Sequence, residues 1–160
     1  MSPPLGSVKL SVQGCGAFAT SNSHAVKALI YDSGGRLLLQ QRDDRPDLLF
    51  PGCWTFFGGL VEEGENWVDA LHRELTEELG CCPGVVAKEL FSWAWDGVDP
   101  ALNHIYPVRL LIEPSGLSLK EGQAMGWFSR KELDHLKVTP LVTDNFDQIF
   151  CYLDLVVPQV

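Results

Sequence analysis

Between Asn66 and Gly80 the chain carries start and stop signals for one amphipathic helix, and that helix must hold three acids on neighbouring turns. Asn66 is a good N-cap, and Asp69 stands where it can reach back in a variant capping box. Gly80 suits a left-handed helix end, with Pro83 shortly after. Val68, Leu71, Leu75 and Leu79 form an apolar stripe at helical spacing. Glu74, Glu77 and Glu78 fall at i, i+3 and i+4, so they share one face. Like charges at that spacing weaken a helix unless a cation collects them. At about 100° per residue, Glu78 projects only about 20° from Leu71, so it borders the buried stripe. A carboxylate there is costly unless it is paired or bound to metal. Clustered carboxylates suit Mg²⁺ or Mn²⁺, which share ligands with water and phosphate.

A Glu-rich helix is most often only a solvated face. Here it follows the glycine turn Phe57-Gly58-Gly59 and the acidic turn Glu62-Glu63-Gly64-Glu65. The glycines permit a tight turn and a close backbone approach to a ligand.

The rest of the chain reads as alternating strands and turns. Residues 1–23 are rich in Ser, Gly and Pro and read as a loose arm, with one short strand at Val8 to Val12. His24 to Tyr31 and Arg36 to Arg42 flank the turn signal Asp32-Ser33-Gly34-Gly35 and predict a hairpin. Trp54 to Phe57 is a short strand ahead of the helix. Val85 to Trp95 and His104 to Ile112 read as strands joined by the loop from Asp96 to Asn103, and Ala124 to Phe128 as another. Ser129 with Glu132 predicts a capping box and a short helix. A last helix is expected from about Val142 to Leu155, with Phe146, Ile149, Phe150 and Leu153 on one face. Mixed strands and helices indicate an α/β protein. With no internal repeat or linker, residues 1–160 are expected to form one domain.

The formal net charge of −9 argues against binding nucleic-acid polymers or anionic membranes, which require basic patches. It also means that an anionic phosphate substrate can be met only through a metal or local basic residues. No run is long and apolar enough for a transmembrane helix, and no secretory signal is read. The five cysteines, Cys15, Cys53, Cys81, Cys82 and Cys151, show no C-x-x-C pair, so a reduced, cytoplasmic chain without structural zinc is expected. His24, His72, His104 and His135 are scattered, and no His metal site or triad is read.

The segment Gly59 to Cys81 resembles the Nudix box: Gly, five residues, Glu, seven residues, then Arg-Glu-hydrophobic-x-Glu-Glu-x-Gly-hydrophobic. Gly59, Glu65, Arg73, Glu74, Leu75, Glu77, Glu78 and Gly80 match. Cys81 stands where an aliphatic residue is usual, and packs as a small hydrophobe. Leu37 to Arg42 and Trp54 to Gly59 resemble the flanking segments, with Phe57 in place of the common Pro. Glu121-Gly122-Gln123, Trp127-Phe128 and Glu132-Leu133 resemble the C-terminal half of MutT-type members.

The resemblance implies an α/β/α sandwich around a mixed sheet. It implies hydrolysis of a nucleoside diphosphate linked to another group, with Mg²⁺ or Mn²⁺. The expected metal residues are Gly59, Glu74, Glu77 and Glu78, and one nearby acid is left to act as base. Arg73 points off the metal face and is expected to orient an acid such as Glu65 or Glu77. Glu65 itself is either a ligand or a structural partner. Glu121 is a candidate ligand or base, or a turn residue. Catalytic roles thus fall on Arg73, Glu77 and Glu121. Arg42 is a candidate phosphate contact. Trp93, Trp95, Tyr106, Trp127 and Phe128 are the aromatic faces available for a base; most are expected in the core, with one or two lining a pocket, and Trp127 is taken as the base contact. Asn145, near where MutT-type members read a purine, is either a polar contact to the base or a helix-surface residue. The substrate is expected to be a nucleoside triphosphate, with a nucleotide sugar of the ADP-ribose or GDP-mannose type as the rival. A non-catalytic nucleotide-sensing module is the third reading. A monomer or a homodimer is expected.

Overall fold

The computed structural model describes residues 23–158, so the strand expected at Val8 to Val12 lies outside the described residues. The first two strands, β1 (His24–Tyr31) and β2 (Leu37–Gln41), form the expected antiparallel hairpin, with Ile30 opposite Leu38. Asp32 closes the turn by accepting the N–H groups of Gly34 and Arg36 at 3.0 and 2.9 Å. The segment at Trp54 to Phe57 divides at Phe56 into β3 (Trp54–Thr55) and β4 (Phe57–Leu60). The division has a packing reason. Phe56 and Phe57 are both fully buried, but in opposite layers of the core.

Helix α1 (Trp67–Leu79) begins and ends where its signals lie. The Asn66 side chain accepts the Asp69 N–H at 2.9 Å, so one half of the expected capping box forms. Gly80 closes the helix at φ 84°, a conformation that glycine adopts without strain. Leu71, Leu75 and Leu79 are fully buried.

Three further elements depart from expectation. Val85 to Trp95 is not one strand but two, β5 (Gly84–Val86) and β6 (Phe91–Trp95), because Ala87 and Leu90 turn their N–H groups to Pro107 and Ile105. Strand β7 (Ala101–Leu110) starts three residues earlier than expected, which shortens the preceding loop. After β8 (Ala124–Phe128) and the boxed helix α2 (Arg130–Leu133), the last helix is split into α3 (Pro140–Thr143) and α4 (Phe146–Val156). The split falls at Asn145, whose Nδ2 donates to the Leu141 carbonyl at 2.8 Å. An Asn side chain that competes for helix carbonyls favours such a break.

The sheet is mixed. Strand β7 runs parallel to β1, and the other strand pairs are antiparallel. Alternation places Val26, Ala28 and Ile30 of β1 against α1. Leu29 and Tyr31 face the other way, into a second cluster with Leu141, Ile149, Phe150 and Leu153. The result is the expected α/β/α layering, with α1 on one side and α2 to α4 on the other. Strand β1 has two neighbours along one edge, β4 at Ala25–Ala28 and β2 at Ile30–Tyr31. The sheet therefore opens between β4 and β2, and side chains from both layers meet there.

Candidate active site

The opening in the sheet brings four elements to Glu78. The Glu78 side chain, on α1, is 2 % exposed. Its Oε1 accepts the Gly58 N–H at 2.8 Å and its Oε2 accepts from Gln40 Nε2 at 2.9 Å. Lys27, opposite Gly58 on β1, adds a nearby positive charge. Burial still dominates and pushes the Glu78 carboxyl up to about 7. Burial also raises the Glu74 carboxyl, against the opposing effect of Arg73. Burial lowers the Lys27 ammonium, with Arg42 acting in the same direction. Neither Lys27 nor Gln40 stands out in the sequence. Their only signal is a polar residue inside an otherwise apolar strand.

Arg73 is the organiser of the acidic turn. It forks onto Glu65 at 2.8 and 2.9 Å and reaches Glu74 at 2.9 Å. It also donates to the Leu60 carbonyl at 3.1 Å and lies 3.4 Å from Glu77. The pairing with Glu65 is the expected one. The expectation that Arg73 points off the acidic face needs correction, because its long side chain curls back over that face to Glu74. Glu65 is committed twice, since its Oε1 also accepts the Glu62 N–H at 3.1 Å. The Arg73 ion pair holds the Glu65 carboxyl below its ordinary range. Gly59 lies against Glu74, and a Cβ built on it would fall 2.5 Å from that carboxylate.

Around this cluster runs a two-part cleft. One part, about 500 Å³, is lined by Lys27, Gln40, Arg42, Gly58, Glu78, Lys120 and Glu121. The other, about 320 Å³, shares Lys27 and Arg42 and continues to Phe50, Trp93, Trp95 and Asn103. Phe50 meets Trp95 edge-on, with ring centroids 5.1 Å apart, so the loop before β3 touches the end of β6 here. Phe50 does so at φ 54°, a left-handed conformation uncommon for an aromatic residue. Arg42 is anchored by Nε donation to the Leu49 carbonyl at 2.7 Å.

The structure therefore gathers Glu74, Glu78, Arg73 and Gly59 at the box, and Arg42 and Glu121 on the cleft. It leaves Glu77 half-exposed at the box's outer side. Two expected residues do not join them. Trp127 pairs with Leu38 and packs against the α1 side of the core, with the Arg36 guanidinium 6.0 Å above its ring. Asn145 is buried and spends its amide on Leu141 and Gln148. Neither side chain lines either part of the cleft. Trp93 and Trp95 supply the aromatic walls instead.

The histidines are also less scattered than their spacing suggests. Parallel pairing sets Val26 opposite His104, and His24 Nδ1 lies 2.9 Å from His104 Nε2. Glu89 takes the far nitrogen of His104, and Trp67 stacks on the His104 ring at 3.7 Å. This pins the first turn of α1 to the sheet.

Among the described residues, no three acidic, histidine or cysteine side chains already surround one point. Mg²⁺ usually takes one or two carboxylates and completes its shell with water and substrate phosphate, so a full protein cage is not required. Glu74 and Glu78 are hard oxygen donors whose buried charge a cation would relieve, and on that ground the residues fit a divalent metal. No helix among the described residues is long and apolar enough to cross a membrane.

The family model described as the NUDIX domain matches residues 22–148. A nucleoside triphosphatase, NudI, of Escherichia fergusonii is 35% identical over 92 residues, which cover 53% of this chain and 62% of the relative. The chain thus spans under two thirds of that relative. NudI of Escherichia coli O139:H28 is 31% identical over 119 residues, covering 67% of this chain and 82% of the relative. A crystal structure of a MutT NUDIX hydrolase from Burkholderia pseudomallei superposes with a TM-score of 0.65 at 25% identity, over 78% of this chain and 95% of that one. The chain belongs to the Nudix family and is a nucleotide pyrophosphohydrolase of the MutT type.

Proposed function

We propose that the substrate is a nucleoside triphosphate and that hydrolysis releases a nucleoside monophosphate and pyrophosphate. The observation that carries this reading is the order of groups along one cleft. Aromatic walls at Trp93 and Trp95 lead to the cations Lys27 and Arg42, and then to Glu78, Lys120 and Glu121. A base, a phosphate chain and a hydrolytic centre would lie in that same order. The likeness to NudI, itself a nucleoside triphosphatase, supports the same class.

Each side chain then has a role. Trp93 and Trp95 stack a base, since an indole face offers large contact at low entropic cost. Lys27 and Arg42 receive phosphate oxygens, and their donors offset the charge that rises as the anhydride breaks. Glu74, Glu77 and Glu78 would hold Mg²⁺ or Mn²⁺, with Gly59 leaving room for the Glu74 carboxylate. When bound, such a metal neutralises phosphate charge and lowers the pKa of a bound water. Arg73 positions Glu74 and the acidic turn. Glu121, exposed at the rim of the phosphate end, takes the proton released as water attacks the phosphorus and the anhydride P–O bond breaks.

One observation favours a second reading, the nucleotide sugar. A cavity of about 430 Å³ lined by His24, Leu60, Glu62, Glu63, Glu65 and Trp67 adjoins the aromatic end at Leu60. Its acceptors and exposed indole would suit a second sugar. The deciding measurement is kcat/KM for nucleoside triphosphates, ADP-ribose and GDP-mannose under one condition, with Mg²⁺ and with excess chelator. A nucleotide sugar leading by more than about tenfold, some 1.4 kcal/mol, would replace the triphosphate. Full turnover in chelator would remove the metal.

A further inference from the structure

Among the described residues, Asn103 is the one amide side chain lining the aromatic end of the cleft. It lies on β7, opposite Trp93 of β6. Its Nδ2 is 3.4 Å from the carbonyl oxygens of Trp93 and of Ala101. Both partners are acceptors, so the amide nitrogen must face them, and the orientation of the group follows. Its two N–H donors are spent on backbone, and Oδ1 is turned the other way. Among the described residues no fully buried side-chain N or O lacks a partner. Asn103 is 8% exposed, and the cleft it lines is where its Oδ1 is accessible.

We infer that Asn103 is a specificity residue, and that its Oδ1 selects a nucleobase presenting an exocyclic amino group over one presenting a carbonyl at the same position. This rests on the triphosphate reading above. Stacking on Trp93 and Trp95 is nearly indifferent to base identity, because every base has a π face. The polar wall must therefore discriminate. An amino group donates to Oδ1. A carbonyl in its place sets lone pairs against lone pairs and leaves Oδ1 unpaired once the base has displaced water. The nearby hydroxyls of Thr55 and Thr139 bond each other at 3.0 Å and can rotate, so they tolerate either base edge. Asp99, on the same cavity, adds a further acceptor.

The test uses two matched pairs, dCTP against dUTP and dATP against dITP, in which oxo replaces amino and the adjacent ring nitrogen gains a hydrogen. The whole wild-type chain is assayed with Mg²⁺. At least one pair should favour the amino member by about tenfold in kcat/KM, mostly through KM. Asn103→Leu keeps the volume and removes the acceptor, and should bring the pair within about twofold. Equal or reversed rates in both wild-type pairs would overturn the role of Asn103 and leave the triphosphate reading intact. So would a preference that survives in Asn103→Leu. Turnover of none of the four would overturn the triphosphate reading itself, and this inference with it. Where Asn103→Leu does not fold, Asn103→Ala, which removes the same acceptor, is held to the same outcomes.

Discussion

Glu78 and Gly58 are joined by a 2.8 Å hydrogen bond from the strand backbone to a carboxylate buried on the helix behind it. That bond fixes the box helix to the strand beside the opening in the sheet. It also leaves Glu78 as a buried acid supported by one backbone N–H, one amide and the charge of Lys27.

Glu78→Gln should cut kcat by at least about a hundredfold, since it removes negative charge where phosphate charge must be balanced through a metal. The fold should survive, because Gln keeps an acceptor for Gly58. Steady-state kinetics and a thermal melt of the same preparation check both halves. Full activity with a lowered Tm would show that Glu78 is only structural.

The metal-free protein should lose stability as pH rises from about 4.5 to about 7. Folding raises the Glu78 carboxyl from 4.5 to about 7, so the folded state binds the proton more tightly. The stability this gives is complete below the unfolded value and is lost as pH climbs through the folded one. Glu74 is raised too and acts with the same sign. At 1.36 kcal/mol per unit, Glu78 alone accounts for up to about 3 kcal/mol. Denaturation in chelator at several pH values should show this slope, reduced in Glu78→Gln. Added Mg²⁺ should recover stability at pH 7, by binding the folded state alone. Equal slopes in both proteins would refute the assignment.

Gly58 and Gly59 should fail differently. A Cβ on Gly58 would sit 2.0 Å from the Val26 carbonyl oxygen, which is backbone and cannot yield. Gly58 also holds φ 142°, so Gly58→Ala should unfold or badly destabilise the chain. The nearest atoms to a Cβ on Gly59 are those of the Glu74 side-chain end, at 2.5 Å. Gly59→Ala should therefore fold and lose at least about tenfold in kcat, by displacing Glu74. Circular dichroism alongside an activity assay separates the two cases, and an active Gly59→Ala would contradict the second.

Arg73→Lys should lower stability by about 1–2 kcal/mol and kcat by more than about tenfold. Lys keeps the charge but cannot fork onto Glu65 while holding Glu74 and the Leu60 carbonyl. Wild-type behaviour of this variant would mean that charge alone suffices at the position.

By itself, the sequence determined the elements whose signals are local. Asn66, Gly80 and the Leu71–Leu75–Leu79 stripe bound the box helix to the residue. The Asp32–Gly35 turn set the hairpin, and Ser129 with Glu132 formed the boxed start of α2. The spacing of Gly59, Arg73 and the acids was enough to identify the family. Caps, turns and periodicity work over a few residues, so they can be read without knowing what lies opposite.

Only the tertiary structure decided which long-range neighbours complete the site. Strand alternation tells that Lys27 and Val26 face opposite ways, but not that the sheet opens beside Lys27 to admit Glu78. It gives Trp95 and Trp127 similar surroundings, yet one lines the cleft and the other packs against the core cluster that α1 joins. His24 and His104 meet because β1 and β7 pair in parallel across 80 positions of sequence. Pairing, register and layer are properties of the whole core, fixed by the joint packing of all the strands and helices, and no local run of residues specifies them.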